Sequence, residues 1–188
     1  MSIRFPLLPL AAVAIAVALA GCAPSSNPIA VSATPGPGTS ELGPEDGYSS
    51  THDWVKITDD VPAVVNLAPD LHDALLQAND AIVAEGGAEI LIVDGWRSEN
   101  YQNYLFDEAV TKYGSEEEAS RWVKRGDESR HVLGEAVDIA TADAMDWLSR
   151  FGGDYGLCQI YANESWHFEL AADEDGVCPP MLTDGSAG

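Results

Sequence analysis

Four histidines occur in the 188 residues: His52, His72, His131 and His167. Two of them stand among other reactive groups. Ser129 to Asp138 reads Ser-Arg-His-Val-Leu-Gly-Glu-Ala-Val-Asp, and Glu164 to His167 reads Glu-Ser-Trp-His. A catalytic zinc takes three protein ligands from His and Asp/Glu and keeps a fourth position for water. His131, Asp138 and His167 make up such a set, and Glu164 is then free to act as general base on the attacking water. Asp138 sits in an apolar run, Ala-Val-Asp-Ile-Ala. A buried carboxylate without a partner is costly, so that placement itself points to a metal. His52 and His72 have no comparable company and are read as ordinary structural residues.

Spacing limits how these groups can meet. Asp138 follows His131 by seven residues, and a straight strand would hold them about 23 Å apart. The chain must therefore fold back between them, and Gly134 stands where the turn falls. Glu164 and His167 are three apart, which on a regular strand gives opposite faces. Glu164 must then sit at a loop edge, ahead of the pleat, where Asn163 favours a turn. Arg97 ends the run Asp94-Gly95-Trp96-Arg97, just before Ser98. A guanidinium at such a strand-to-helix junction can stabilise an oxyanion or clamp a carboxylate.

The elements that must position these groups are legible in outline. Trp54–Thr58 and Ala63–Leu67 read as short strands or an extended arm. Leu71, Leu75, Ala78 and Ile82 recur at helical spacing within 70–85, with Pro69 before them and Gly86-Gly87 after. Glu89–Gly95 reads as a buried strand. Ser98 caps a helix over Glu99–Tyr113, and Ser115 with Glu118 forms a capping box for another reaching Lys124. Ala136–Ala140 is a strand, Thr141 caps a helix to Arg150, and Tyr155–Tyr161 with Ser165–Leu170 reads as a hairpin. The class is α+β: a small single domain with a central antiparallel sheet flanked by helices.

Composition narrows the setting. Nine Lys+Arg against 31 Asp+Glu give a net charge of −22, which repels phosphate backbones and excludes nucleic acid as a partner. Leu7–Gly21 is an uncharged apolar stretch, short for a membrane span and suited to a signal peptide over residues 1–21. It closes in Leu19-Ala20-Gly21-Cys22, which resembles the bacterial lipobox, so Cys22 is the expected lipidation site. Residues 22–50, rich in Pro, Gly, Ser and Thr, read as a flexible tether. The folded domain is expected over 51–178 and a disordered tail over 179–188. Cys158 and Cys178 remain, and in an exported domain they read as a disulfide.

Ser129-x-His131-x-x-Gly134-x-Ala136-x-Asp138 followed by Glu164-x-Trp166-His167 resembles the paired signature of the zinc D-Ala-D-Ala peptidases, the family of VanX and VanY. Gly95-Trp96-Arg97-Ser98 is similar to that family's Arg-Ser turn, with Gln102 in a matching place after it. The resemblance spans about residues 54–172. It implies zinc on His131, Asp138 and His167, and a Glu164 that passes a proton from water to the leaving amine. It implies that Arg97 stabilises the polarised carbonyl oxygen, and that Ser129, Gln102 and Trp166 contact substrate. Trp96 stands where Tyr is frequent, and Glu169 occupies a variable place. A lipid-anchored enzyme outside the membrane faces the wall. The expected reaction is therefore hydrolysis of the terminal D-Ala-D-Ala bond of peptidoglycan stem peptides, by a monomer. The alternatives are an endopeptidase, a D,D-dipeptidase, or a lipoprotein that only binds wall peptide.

Overall fold

The computed structural model describes residues 42–49 and 53–187. The segment expected as a signal peptide, Cys22, most of the expected tether and His52 lie outside the described residues. Five strands form one sheet: β1 Val55–Lys56, β2 Leu91–Asp94, β3 Ala136–Ile139, β4 Leu157–Gln159 and β5 His167–Leu170. Their order is β1-β2-β3-β5-β4, and each neighbouring pair is antiparallel. Helices are α1 Pro62–Val65, α2 Pro69–Ala84, α3 Glu99–Tyr113, α4 Glu116–Ala119 and α5 Ala142–Phe151. The α+β expectation holds. Among the described residues, no helix is long and apolar enough to cross a membrane.

The core lies between one face of the sheet and two helices. Leu71, Leu75, Ala78 and Ile82 of α2, with Ala144 and Leu148 of α5, are buried in one cluster with Ile92, Val137, Ile139, Leu157 and Phe168 of the strands. Side chains alternate across a strand, so burying Val137 and Phe168 there turns Asp138, His167 and Glu169 to the other face. The register makes Asp138 and His167 direct cross-strand neighbours. That is how residues 29 apart in sequence become adjacent.

Strand β2 contributes a second device. Ile92 pairs with Ile139 but Asp94 pairs with Asp138, so β2 advances two residues while β3 advances one. Such a bulge re-aims the side chain that follows it. Ile92 stays in the core, while Asp94 reaches the polar face.

Several expectations are corrected. Ala63–Leu67 is not a strand: α1 covers Pro62–Val65, because Pro62 pre-sets the first helical turn and Val64 is buried. The helix after Ser115 stops at Ala119 rather than Lys124. There Trp122 and Val123 N–H both donate to the Ala119 carbonyl, and Trp122 stacks on Tyr113 with ring centroids 5.7 Å apart.

Both domain edges also move outward. Residues 42–49, expected in the tether, pack on the fold: Ser98 N–H donates to Asp46 O (2.9 Å), Ser98 Oγ donates to Asp46 Oδ1 (2.5 Å), and Tyr48 meets Tyr101 edge to face. Residues 179–187, expected as a disordered tail, are held by Leu182 against Ile160 and Ala162, and by Asp184 against Arg121. The disulfide Cys158–Cys178 is formed. His72 is structural, its Nε2 2.9 Å from Ile57 O.

Candidate metal centre

The fold-back between His131 and Asp138 is a turn at Gly134, whose φ is +73°. Any Cβ there would also lie 2.5 Å from Asn66 O, so only glycine fits. Glu135 N–H donates to Arg130 O, which starts the chain back into β3. The turn docks on the end of β2: Arg97 N–H donates to His131 O (3.2 Å), and His131 Nδ1 lies 2.8 Å from Gly95 O.

Three ligand atoms converge. Asp138 Oδ1 is 3.2 Å from His167 Nδ1 and 3.4 Å from His131 Nε2, and the two nitrogens are 3.3 Å apart. A tetrahedral zinc with bonds of about 2.0–2.1 Å has ligand-to-ligand edges of about 3.3–3.4 Å, so this triangle has the right size. Its chemistry fits as well. The Gly95 carbonyl can only accept, so His131 Nδ1 carries hydrogen and Nε2 presents a lone pair to the centre. His167 Nε2 donates to Glu169 Oε1 (2.9 Å), which leaves Nδ1 as the ligand atom. Three electron-rich atoms at these distances need a positive charge between them.

The local electrostatics show the same demand. Burial alone would lower the His167 pKa, but hydrogen bonds to Asp138 and Glu169 outweigh it and raise the pKa to about 9. Burial, and then the Arg97 charge, lower that of His131. Burial acts to raise Asp138, yet His131, His167 and Arg97 hold it well below the usual carboxylate range. Without a metal, one proton on His167 Nδ1 must serve Asp138 and His131 at 3.2 and 3.3 Å. A divalent cation satisfies all three donors at once.

Glu164 lies in the turn before β5, as the three-residue spacing required. It is 6% exposed, with Oε2 4.0 Å from His167 Nδ1. Burial is the main reason its pKa rises to about 7.

Arg97 is buried, and its Nη2 donates to Asp138 Oδ2 (2.8 Å) and pairs with Asp94 Oδ2 (3.1 Å). It thus orients the carboxylate whose other oxygen joins the triangle. Arg97 Nε has no hydrogen-bond partner among the described residues. Gln102 lines the same cleft and also braces Arg97: its Oε1 accepts from Arg97 Nη1 (3.2 Å), and its Nε2 donates to Lys124 O (2.6 Å). Ser129 and Trp166 line the same cleft of about 490 Å³ as the triangle, Glu164 and Arg97.

Sequence reasoning missed Asp94, Glu169 and Asp184. Glu169 was findable, since i and i+2 share a strand face with His167. Asp94 was hidden by the bulge, and Asp184 by its place in an apparent tail.

Residues 65–173, more than half of the chain, match the profile of the family described as VanY: D-alanyl-D-alanine carboxypeptidase. The chain belongs to this family. No curated protein matches it by sequence. Among solved structures, a mutant vancomycin-resistance D,D-pentapeptidase VanY in complex with Zn(II) is 22% identical, with a TM-score of 0.52 over 63% of this chain and 78% of its own. VanYB in complex with D-Alanine-D-Alanine is 21% identical, with a TM-score of 0.55 over 66% and 80%. The LdcB LD-carboxypeptidase is 28% identical, with a TM-score of 0.50 over 58% of this chain and 61% of its own. The two VanY likenesses establish the fold. The VanY-family match covers the ligand triangle, Arg97 and Glu164, and ends before Asp184. The family is one of zinc carboxypeptidases, and the His131–Asp138–His167 triangle is the place in this chain that fits the ion.

Proposed function

We propose that the protein removes the terminal D-alanine from peptidoglycan stem peptides by hydrolysing their D-Ala–D-Ala bond. The observation that carries this reading is one cleft holding three donors spaced for zinc and a buried carboxylate 4.0 Å from one of them. Zinc on His131, Asp138 and His167 would act as a Lewis acid towards the scissile carbonyl and lower the pKa of water.

The chain's own groups do the rest. Glu164 accepts a proton from the attacking water and returns it to the leaving amine as the C–N bond breaks. Arg97 fixes the Asp138 carboxylate and sets a positive charge beside the carbonyl oxygen as it becomes negative. Ser129 and Trp166 hold the peptide along the cleft. A volume of about 490 Å³ exceeds what a dipeptide fills, which supports a stem peptide over the free dipeptide.

The apolar stretch closed by Cys22 supports export and lipid anchoring, with the domain working outside the membrane. The Cys158–Cys178 disulfide fits that oxidising compartment. The test is incubation with a stem pentapeptide, a stem tetrapeptide and free D-Ala-D-Ala, with products identified by mass. Release of one D-alanine from the pentapeptide is expected. Internal fragments, cleavage of the dipeptide alone, trimming of the tetrapeptide alone, or no product would each overturn the reading.

A further inference from the structure

The turn that carries Glu164 is held weakly within itself. Its local backbone bonds are long, with Glu164 N–H to Tyr161 O at 3.2 Å and His167 N–H to Glu164 O at 3.3 Å. Shorter bonds hold its two ends to the sheet, where Tyr161 O accepts from Gln159 Nε2 (2.8 Å) and Trp166 O accepts from Ile139 N–H (2.9 Å), and others come from the C-terminal segment, which lies outside the VanY-family match. Ala162 N–H donates to Leu182 O and Leu182 N–H donates to Ile160 O, each at 2.8 Å.

The same segment ties this turn to a second stretch of the cleft wall, the residues after α4. Asp184 is 6% exposed, although it stands near the end of the chain. Its Oδ2 accepts from Arg121 Nε (2.9 Å), while its Oδ1 accepts from Ser186 N–H (3.0 Å) and Ser186 Oγ (2.5 Å). The Arg121 carbonyl in turn accepts from Gly185 N–H (3.1 Å) and Asn163 Nδ2 (3.0 Å). Gly185 itself lines the cleft. The disulfide at Cys178 fastens the near end of the segment to β4.

We infer that residues 181–187 form a strap that sets Glu164 against the ligand triangle, with Asp184 as its positioning residue acting through Arg121. The inference rests on Glu164 being the base. A general base must be placed to within about 0.5 Å, and a misplacement of about 1 Å can cost a hundredfold in rate. The sheet holds the turn at Tyr161 and Trp166, and between those two points its own long bonds do not supply that precision. The strap adds two short backbone bonds and the Arg121–Asp184 ion pair, whose carboxylate is buried and whose guanidinium is half-exposed.

The experiment compares the full chain with one ending at Pro180, which keeps the disulfide, and with Asp184→Ala, Asp184→Asn and Glu164→Gln. Zinc content, kcat and KM are measured on the stem pentapeptide. Shortening and Asp184→Ala should leave zinc at one per chain and KM within about threefold, and lower kcat by about tenfold or more. Asp184→Asn keeps an acceptor for Arg121 and should recover most of the kcat. Unchanged kcat in both the shortened chain and Asp184→Ala, beside an inactive Glu164→Gln, overturns the strap alone. Loss of zinc together with activity makes the segment merely structural and also overturns it. Full activity in Glu164→Gln overturns the base and the strap together. If the shortened chain does not fold, the Asp184 pair carries the same test.

Discussion

Glu164→Gln separates what the carboxylate does for catalysis from what it costs the fold. Glu164 is buried, and its pKa in the folded protein stands at about 7 against an ordinary value of 4.5. A raised pKa favours the protonated form in the folded state. Its stabilising contribution is complete below about pH 4.5 and is lost as pH rises through about 7. At about 1.4 kcal/mol per pKa unit, the loss reaches about 3 kcal/mol by pH 8. Glutamine has nothing to ionise and escapes it. In zinc-stripped protein, the stability of Glu164→Gln relative to wild type should therefore grow by up to about 3 kcal/mol between pH 4 and pH 8, on the order of 10 °C in Tm. The histidines and Asp138 titrate in both proteins, and the His167 charge beside Glu164, which favours its carboxylate, makes about 3 kcal/mol the upper end of the difference. Thermal unfolding of both proteins after chelation, across that pH range, measures the difference directly. Restoring zinc should narrow the gap, because a nearby dication favours the carboxylate. Activity should fall about a hundredfold or more at every pH. Parallel stability profiles for the two metal-free proteins would refute the claim that burial strains this group.

Zinc binding at pH 7.5 should release about one proton per site, because His167, with its pKa near 9, holds one until the ion displaces it. Calorimetry in buffers of different ionisation enthalpy reads that number, and zero release would contradict it. Glu169→Ala should weaken zinc binding by about 10–100-fold in a chelator competition, since Glu169 fixes the His167 ring. Reducing the Cys158–Cys178 bridge, 20 residues apart, should lower stability by about 3 kcal/mol, seen as a drop in the denaturant midpoint. Phe168→Ala, in the centre of the core, should cost about 3–5 kcal/mol by the same measurement.

Much of this site could be read before any coordinates. Two of its constraints were arithmetical: seven residues from His131 to Asp138 demand a turn, and three from Glu164 to His167 demand a break in the pleat. Gly134 and the turn before β5 supply both. Helices with a cap and a regular apolar period were equally plain, and α3 begins at Glu99 behind Ser98 as expected. What stayed hidden depends on distant partners. Val64 and Val65 look like strand residues, but Pro62 and the burial of Val64 against the core make this stretch helical. Asp94 changes face through a bulge that only the pairing with β3 defines. The apparent linker and tail lack any apolar period, yet Asp46 and Asp184 each find one polar partner far along the chain. Composition reports the average character of a segment and is silent about a single well-placed hydrogen bond.

The junction of Asp46 with Ser98 has a mechanical consequence. The polypeptide enters the domain at the corner that bears the guanidinium, so a pull from the amino-terminal side is felt there before it reaches the sheet. Loosening that contact would disturb the start of α3 and the neighbouring Arg97 before the buried interior.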